Sequence, residues 1–306
     1  MVVFFALVAS CANAVASVCQ RLGVEGAPAS NGPSMGLVRH MVQRPIWLAG
    51  LLIMALAYVC QAVALHIGTL NVVQPLMVSE LVALVLILWL WYSTPLRIRD
   101  LVATLATAGG LGLFLAISPG SPGTATPSDG RWVAVGFVTM GVALLLVALG
   151  TRGPAWRRAL VLGASASIGF ALLAAITKTF TNVLLSGWGA VFSSWPLYAI
   201  TVIGVGSFVV MQSAFQVGPL AASQSSLILV NPIVSIAIGH VLFHETLRGG
   251  PLYASLEVIA LVIMIAGGVG LSSSALVAGV HGDQPSDFHL KGRGRYGRWR
   301  DARART

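Results

Sequence analysis

Long unbroken runs of apolar residues, separated by short polar breaks, set the pattern of this chain. Nine runs reach the roughly 20 residues that cross a bilayer as a helix: Val2 to Gln20, Ile46 to Leu65, Thr69 to Tyr92, Leu101 to Ile117, Trp132 to Leu149, Ala159 to Leu184, Pro196 to Val217, Leu220 to Phe243 and Leu252 to Leu271. The runs are continuous rather than alternating in period two. Helices, not the strands of a membrane barrel, are therefore the expected way to satisfy the backbone in hydrocarbon. Gly68 makes a tight turn between the second and third runs, and SPGSPGTATPSDG after the fourth is an irregular loop.

The pattern occurs twice. CQAVALHIGTLNVVQPLMVSELVALVLILWLW, closing on AGGLGL, matches VMQSAFQVGPLAASQSSLILVNPIVSIAIGHVLF, closing on AGGVGL. Ala64 falls on Ala214, Gly68 on Gly218, Leu70 on Leu220 and Gln74 on Gln224, and the Ala108-Gly109-Gly110-x-Gly112 ending meets Ala266-Gly267-Gly268-x-Gly270 after a longer linker. The first and sixth runs are partners too. Small residues recur every fourth position, as Ala6, Ser10 and Ala14 in one and Gly163, Ser167, Ala171 and Ala175 in the other. That spacing lines one helix face and lets a neighbouring backbone come close. The expected fold is all-α and polytopic, nine transmembrane helices arranged 4 + 1 + 4. Residues 1–117 form the first repeat, 118–157 a loop and linking helix, 158–276 the second repeat, and 277–306 a basic tail expected to be disordered. Five crossings separate the starts of the two copies, so they are inverted relative to one another.

Composition agrees with this reading. Of 306 residues, 57% are hydrophobic and only 9% charged, with a mean hydropathy of +0.87, whereas a soluble chain carries charge at about a quarter of its positions. Met1 to Ser17 looks superficially like a signal peptide, with Ala12-Asn13-Ala14 as a cleavage site. It lacks a preceding basic residue and has a repeat partner, so a retained helix is expected. Charge sets the orientation. With the N-terminus outside, fifteen Lys and Arg residues fall on the inner side, seven of them in the tail, and only Arg131, Lys178 and Arg248 fall outside. The positive-inside rule then gives a plasma-membrane protein with its C-terminus in the cytoplasm. The tail is expected to contact anionic headgroups. MGLVRHMV, between Arg21 and Pro45, is too short to span and is expected to lie in the interface.

Polar groups inside the spans carry the candidate chemistry. Glu80 is taken as the one carboxylate well inside a span, about halfway across at 1.5 Å per residue. The hydrocarbon disfavours its ionised form, which suits it to couple a proton to a substrate. Asn71 and Gln74 precede it on the same run. Pro75 frees the Asn71 carbonyl, and Gln224 and Asn231 lead into Pro232, which frees that of Ile228. Two proline-kinked helices with amide side chains resemble the interrupted helices of transporter sites. Ser10, Asn13, Gln61, Gln212 and Gln216 are further candidates, each of which singly suits an interhelical hydrogen bond. Lys178, near the outer end of its run, is expected to snorkel to the headgroups, with a counter-charge for an anionic substrate as the other reading. His66 and His240 are placed near opposite faces with no second ligand in register. Cys11, Cys19 and Cys60 form no ligand or disulfide pattern, so no metal or cofactor is expected. No Walker A loop, HExxH or GxSxG occurs and the loops are short, which argues against an enzyme. Nothing points to nucleic acid.

The stretch from Trp47 to Leu86, WLAGLLIMALAYVCQAVALHIGTLNVVQPLMVSELVALVL, resembles the core helix pair of the drug/metabolite transporter superfamily, particularly its NIPA-like branch and more distantly the EamA repeat. Trp47, Ala49-Gly50-Leu51-Leu52, the turn before Asn71, Gln74-Pro75-Leu76 and the AGGLG ending carry the likeness. The resemblance implies a proton- or gradient-coupled carrier or exporter. The family often has a Glu near the end of the helix that follows the Pro-Leu stretch; the first copy reads Ser93-Thr94-Pro95 there, while the second keeps His244-Glu245. Magnesium would call for more carboxylates, since it demands oxygen ligands. The expected function is secondary transport of a small organic or amphipathic solute by alternating access. The alternatives are a divalent-cation carrier and a non-transporting scaffold or lipid-binding subunit of an envelope complex. A homodimer or an envelope partner stays open.

Overall fold

The computed structural model describes residues 1–24, 43–91, 97–117, 123–124, 127–185, 187–218, 220–246 and 251–272. The MGLVRHMV stretch expected at the interface and the tail expected to be disordered lie outside them. Among the described residues, nine helices are long and apolar enough to cross a membrane, which makes this a multi-pass helical membrane fold.

The helices are α1 (Val2–Val24), α2 (Pro45–Ile67), α3 (Leu70–Met77), α4 (Ser79–Trp91), α5 (Ile98–Ile117), α6 (Asp129–Leu149), α7 (Ala155–Leu185), α8 (Trp188–Ser193), α9 (Trp195–Val217), α10 (Leu220–Phe243) and α11 (Pro251–Ser272). Three details differ from the sequence reading. The third span is two helices, α3 and α4, parted at Val78, three residues after Pro75. By contrast α10 runs unbroken through Pro232, so only one of the two prolines accompanies a break. A third difference is the short α8, which precedes α9 and was not expected.

At the break, the Leu76 carbonyl accepts the hydroxyls of Ser79 (2.7 Å) and Ser10 of α1 (3.3 Å). A carbonyl released from the helical ladder must find another donor in hydrocarbon. Ser79 supplies it here, and the Ser10 hydroxyl, which bonds the Ala6 carbonyl of its own helix more closely at 2.9 Å, only shares its proton with the interruption.

The centre of the bundle is α7. It packs along α9 and α10 and also touches α6 and α2, while α1 lies along α2 and α5 along α11. Gly163, Ser167, Ala171 and Ala175 are all buried, as are Ala6, Ser10 and Ala14 of α1, so both small-residue faces lie in helix interfaces. A side chain on Gly163 would run into Ser223 of α10. The two AGG endings meet each other. Gly110 abuts the backbone of Ala260 and Met264, and Gly267 that of Ala103 and Thr107, so α5 and α11 approach to backbone contact. Large apolar side chains such as Leu52, Phe137, Val202 and Leu252 point outward and are mostly exposed, as lipid-facing positions would be.

One end of the bundle carries Met1, the Gly68 turn, the start of α6 and the ends of α7 and α10. Both His66 and His240 lie in last turns there, so they share a face rather than sitting at opposite ones. His66 ends the second span and His240 the eighth, and two even-numbered crossings finish on the same side.

Candidate functional site

Helix α3 begins at this end. Thr69 precedes it in extended conformation and makes no capping hydrogen bond with its side chain. The first N–H groups of a helix have no partner of their own, and in an apolar bundle they need one. Glu245, which follows α10, provides it. The Leu70 N–H donates to its Oε1 at 3.0 Å and the Asn71 N–H to its Oε2 at 3.1 Å. Lys178 of α7 completes the arrangement with its Nζ 2.5 Å from Oε1, while lying 4.8 Å from the centroid of the Phe243 ring.

Local chain geometry delivers Glu245 to this place. His244 sits at φ 54°, the left-handed region that ends helices. The chain turns there, and the Glu245 N–H donates back to the Gly239 carbonyl at 3.1 Å. Gly239 has to be small. A Cβ on it would lie 2.7 Å from both Asn71 Oδ1 and Glu245 Oε2. Thr124, in the loop before α6, covers the turn by donating its N–H and its hydroxyl to the Phe243 carbonyl. Trp132 lies edge-on to Phe243 and to Trp195.

Lys178 is therefore buried and paired, which corrects the expectation that it snorkels. Desolvating two charges is favourable only when the geometry is good and the remaining lone pairs are used. The carboxylate meets three donors, and the anion sits at the positive end of α3. Glu245 was read only as a family position; its role at the site was missed. The signal existed, because a lysine seven residues inside a span needs a counter-charge, and Glu245 follows a span that ends on the same face.

Beside the ion pair lies a group of amides. Asn71 and Gln74 are buried to within 2%. Asn231 Nδ2 donates to Gln74 Oε1 at 3.3 Å, and the Ser235 hydroxyl reaches Asn231 Oδ1 at 3.5 Å. Among the described residues, neither polar atom of the Asn71 carboxamide has a hydrogen-bond partner, nor does Gln74 Nε2. Such groups are costly in an apolar interior. The structure thus brings Asn71, Gln74, Asn231 and Lys178 together.

Glu80 belongs to a different neighbourhood. It sits in the first turn of α4, half-buried, and hydrogen-bonds Asn13 of α1. It is also not the sole carboxylate within a span. Glu257 is buried in α11, and Asp100 in the first turn of α5, which begins at Ile98 rather than Leu101. Gln61 is half-buried on α2. The side chains of Gln212, Gln216 and Gln224 lie outside the described residues.

Two apolar grooves, open to the outside of the bundle, flank α6. One, of about 350 Å³, is lined by Val135, Val138, Ile233, Ala237 and Val241, between α6 and α10. The other, of about 370 Å³, lies between α6, α7 and α9, lined by Trp132, Leu172, Ile176, Trp195 and Ile203.

No family model matches the chain, and no solved structure matches it. The chain is similar to an uncharacterized protein of Corynebacterium glutamicum, 27% identical over 252 residues that make up 78% of this chain and 84% of the relative.

Proposed function

We propose that this chain is a secondary transporter of the drug/metabolite type, moving a small organic or amphipathic solute by alternating access of two inverted halves. The observation that carries the proposal is the buried amide group of Asn71 and Gln74 at the α3–α10 contact, with hydrogen-bonding capacity left unused inside an apolar bundle. Ionisable and amide groups in membrane helices are expensive and mark pathways for substrate. The interrupted span at Val78 and the contact of parts of both halves at this point suit a site at a repeat interface.

Helix packing supports the duplication. The first helix of each half packs along the second, α1 on α2 and α7 on α9; each also packs against the third, α1 on α3 and α4, α7 on α10; and the two fourth helices, α5 and α11, pair with each other. In this reading the N-terminus is external, the tail meets anionic headgroups inside, and Glu80 with Asn13 couples protons to solute. The protein is not an enzyme and carries no cofactor.

Reconstitution tests the reading. Uptake or efflux in proteoliposomes, against a panel of metabolites and Mg²⁺ with and without a proton gradient, is expected to show gradient-dependent flux of an organic solute. Flux of Mg²⁺ alone would make it a cation carrier. No flux from a protein that purifies with a fixed partner would make it a scaffold.

A further inference from the structure

The Glu245 carboxylate is held as a bound ligand would be. Its two oxygens are divided between two backbone N–H groups at the start of α3 and the Lys178 ammonium. None of these three donors belongs to the segment that carries Glu245. A second observation points to a ligand at the same place. The Asn71 carboxamide, 1% exposed, uses neither of its polar atoms among the described residues, and its Oδ1 shares with Glu245 Oε2 the space left free by Gly239. The receptor therefore holds hydrogen-bonding capacity that Glu245 does not use.

We infer that Lys178, the Leu70 and Asn71 N–H groups and the unused Nδ2 donor of Asn71 form a binding site for the carboxylate of an organic anion, with Glu245 as its tethered occupant. The inference deepens the carrier reading and rests on it for one step, the departure of Glu245 when the bundle opens at this end. Lys178 cannot stay buried and charged alone. Either Glu245 or a substrate carboxylate must face it, and the exchange of one for the other links opening to binding. Two oxygens in one plane, each with its own backbone donor, favour a carboxylate over a tetrahedral phosphate, although both are compact oxyanions.

The test uses the full chain purified in detergent. Glu245→Ala empties the receptor, and thermal unfolding is followed as sodium acetate replaces sodium chloride at constant ionic strength. A saturable rise in melting temperature is expected for Glu245→Ala and none for Lys178→Met/Glu245→Ala. The wild type should need tenfold more acetate or beyond, because a tethered competitor acts at an effective concentration in the millimolar range or above. If Glu245→Ala does not stay folded, its recovery by acetate but not by chloride supports the site equally; recovery by neither overturns it. No acetate-dependent rise, or an equal rise in the double variant or in the wild type, also overturns it. Inorganic phosphate acting at lower concentration than acetate would overturn the choice of carboxylate. The carrier reading fails separately. Saturable acetate binding in a chain that moves no solute leaves the site and removes the carrier. Flux of choline or glucose that survives unchanged in Lys178→Met/Glu245→Gln keeps the carrier and removes the site.

Discussion

Lys178 and Glu245 are each tolerable only because the other is present. Lys178→Met leaves a buried carboxylate facing nothing charged, and breaking such a pair on one side costs about 3–5 kcal/mol. Lys178→Met/Glu245→Gln removes both charges while an amide oxygen still accepts from the start of α3, so most of that loss should return. Thermal unfolding of the three proteins in detergent checks this; a double variant as unstable as the single one would mean that the pair matters for something other than charge balance. Glu80 makes a different prediction. Glu80→Gln keeps its shape and a hydrogen-bonding group for Asn13 but cannot titrate. It should fold normally and lose the pH dependence of transport. An unchanged pH profile would leave Glu80 a structural acid and put the coupling group elsewhere.

Among the elements, the α5–α11 contact depends on glycine. A Cβ at Gly267 would come within 2.5 Å of Thr107 backbone and hydroxyl atoms and 2.7 Å of the Ala103 carbonyl. Those neighbours are largely backbone and cannot rotate away. Gly267→Leu should therefore destabilise by about 1–3 kcal/mol or more, whereas Gly112→Leu, with nothing near it, should be close to neutral. Equal losses at both positions, measured by unfolding, would contradict backbone contact between these helices. The broken α3–α4 span is the other element with a specific support. Ser10→Ala leaves the Leu76 carbonyl to the Ser79 hydroxyl alone, and because the Ser10 proton is shared with the Ala6 carbonyl a loss of no more than about 1 kcal/mol is expected.

For the whole molecule, the prediction is topological. A reporter at the C-terminus should register as cytoplasmic and one inserted between Gly120 and Ser128 as external; both on one side would break the count of crossings and the inverted relation with it. The nine spans were legible because an apolar run of bilayer length has few other fates in an aqueous cell. The small-residue faces of α1 and α7 were legible for a similar reason, since a spacing of four on a helix leaves only one face on which Gly, Ser and Ala can gather. Which polar group meets which was not legible, because that depends on helix rotation and on contacts between residues 67 or 157 positions apart, such as Lys178 with Glu245 and Gln74 with Asn231.

By itself the sequence determined a lipid-solvated, helical chain, with nine spans among the described residues and a handful of polar residues inside them, because hydrocarbon forbids unpaired backbone and hydropathy is additive along a segment. Tertiary structure alone decided that Glu80 turns to Asn13 while Gln74 turns to Asn231, and that the third span breaks while α10 does not. It also decided that Lys178 faces inward. The physical reason is that a buried charge goes where its counter-charge and its hydrogen bonds are, and those came from three elements far apart in sequence: the start of α3, the C-terminal part of α7 and the turn after α10.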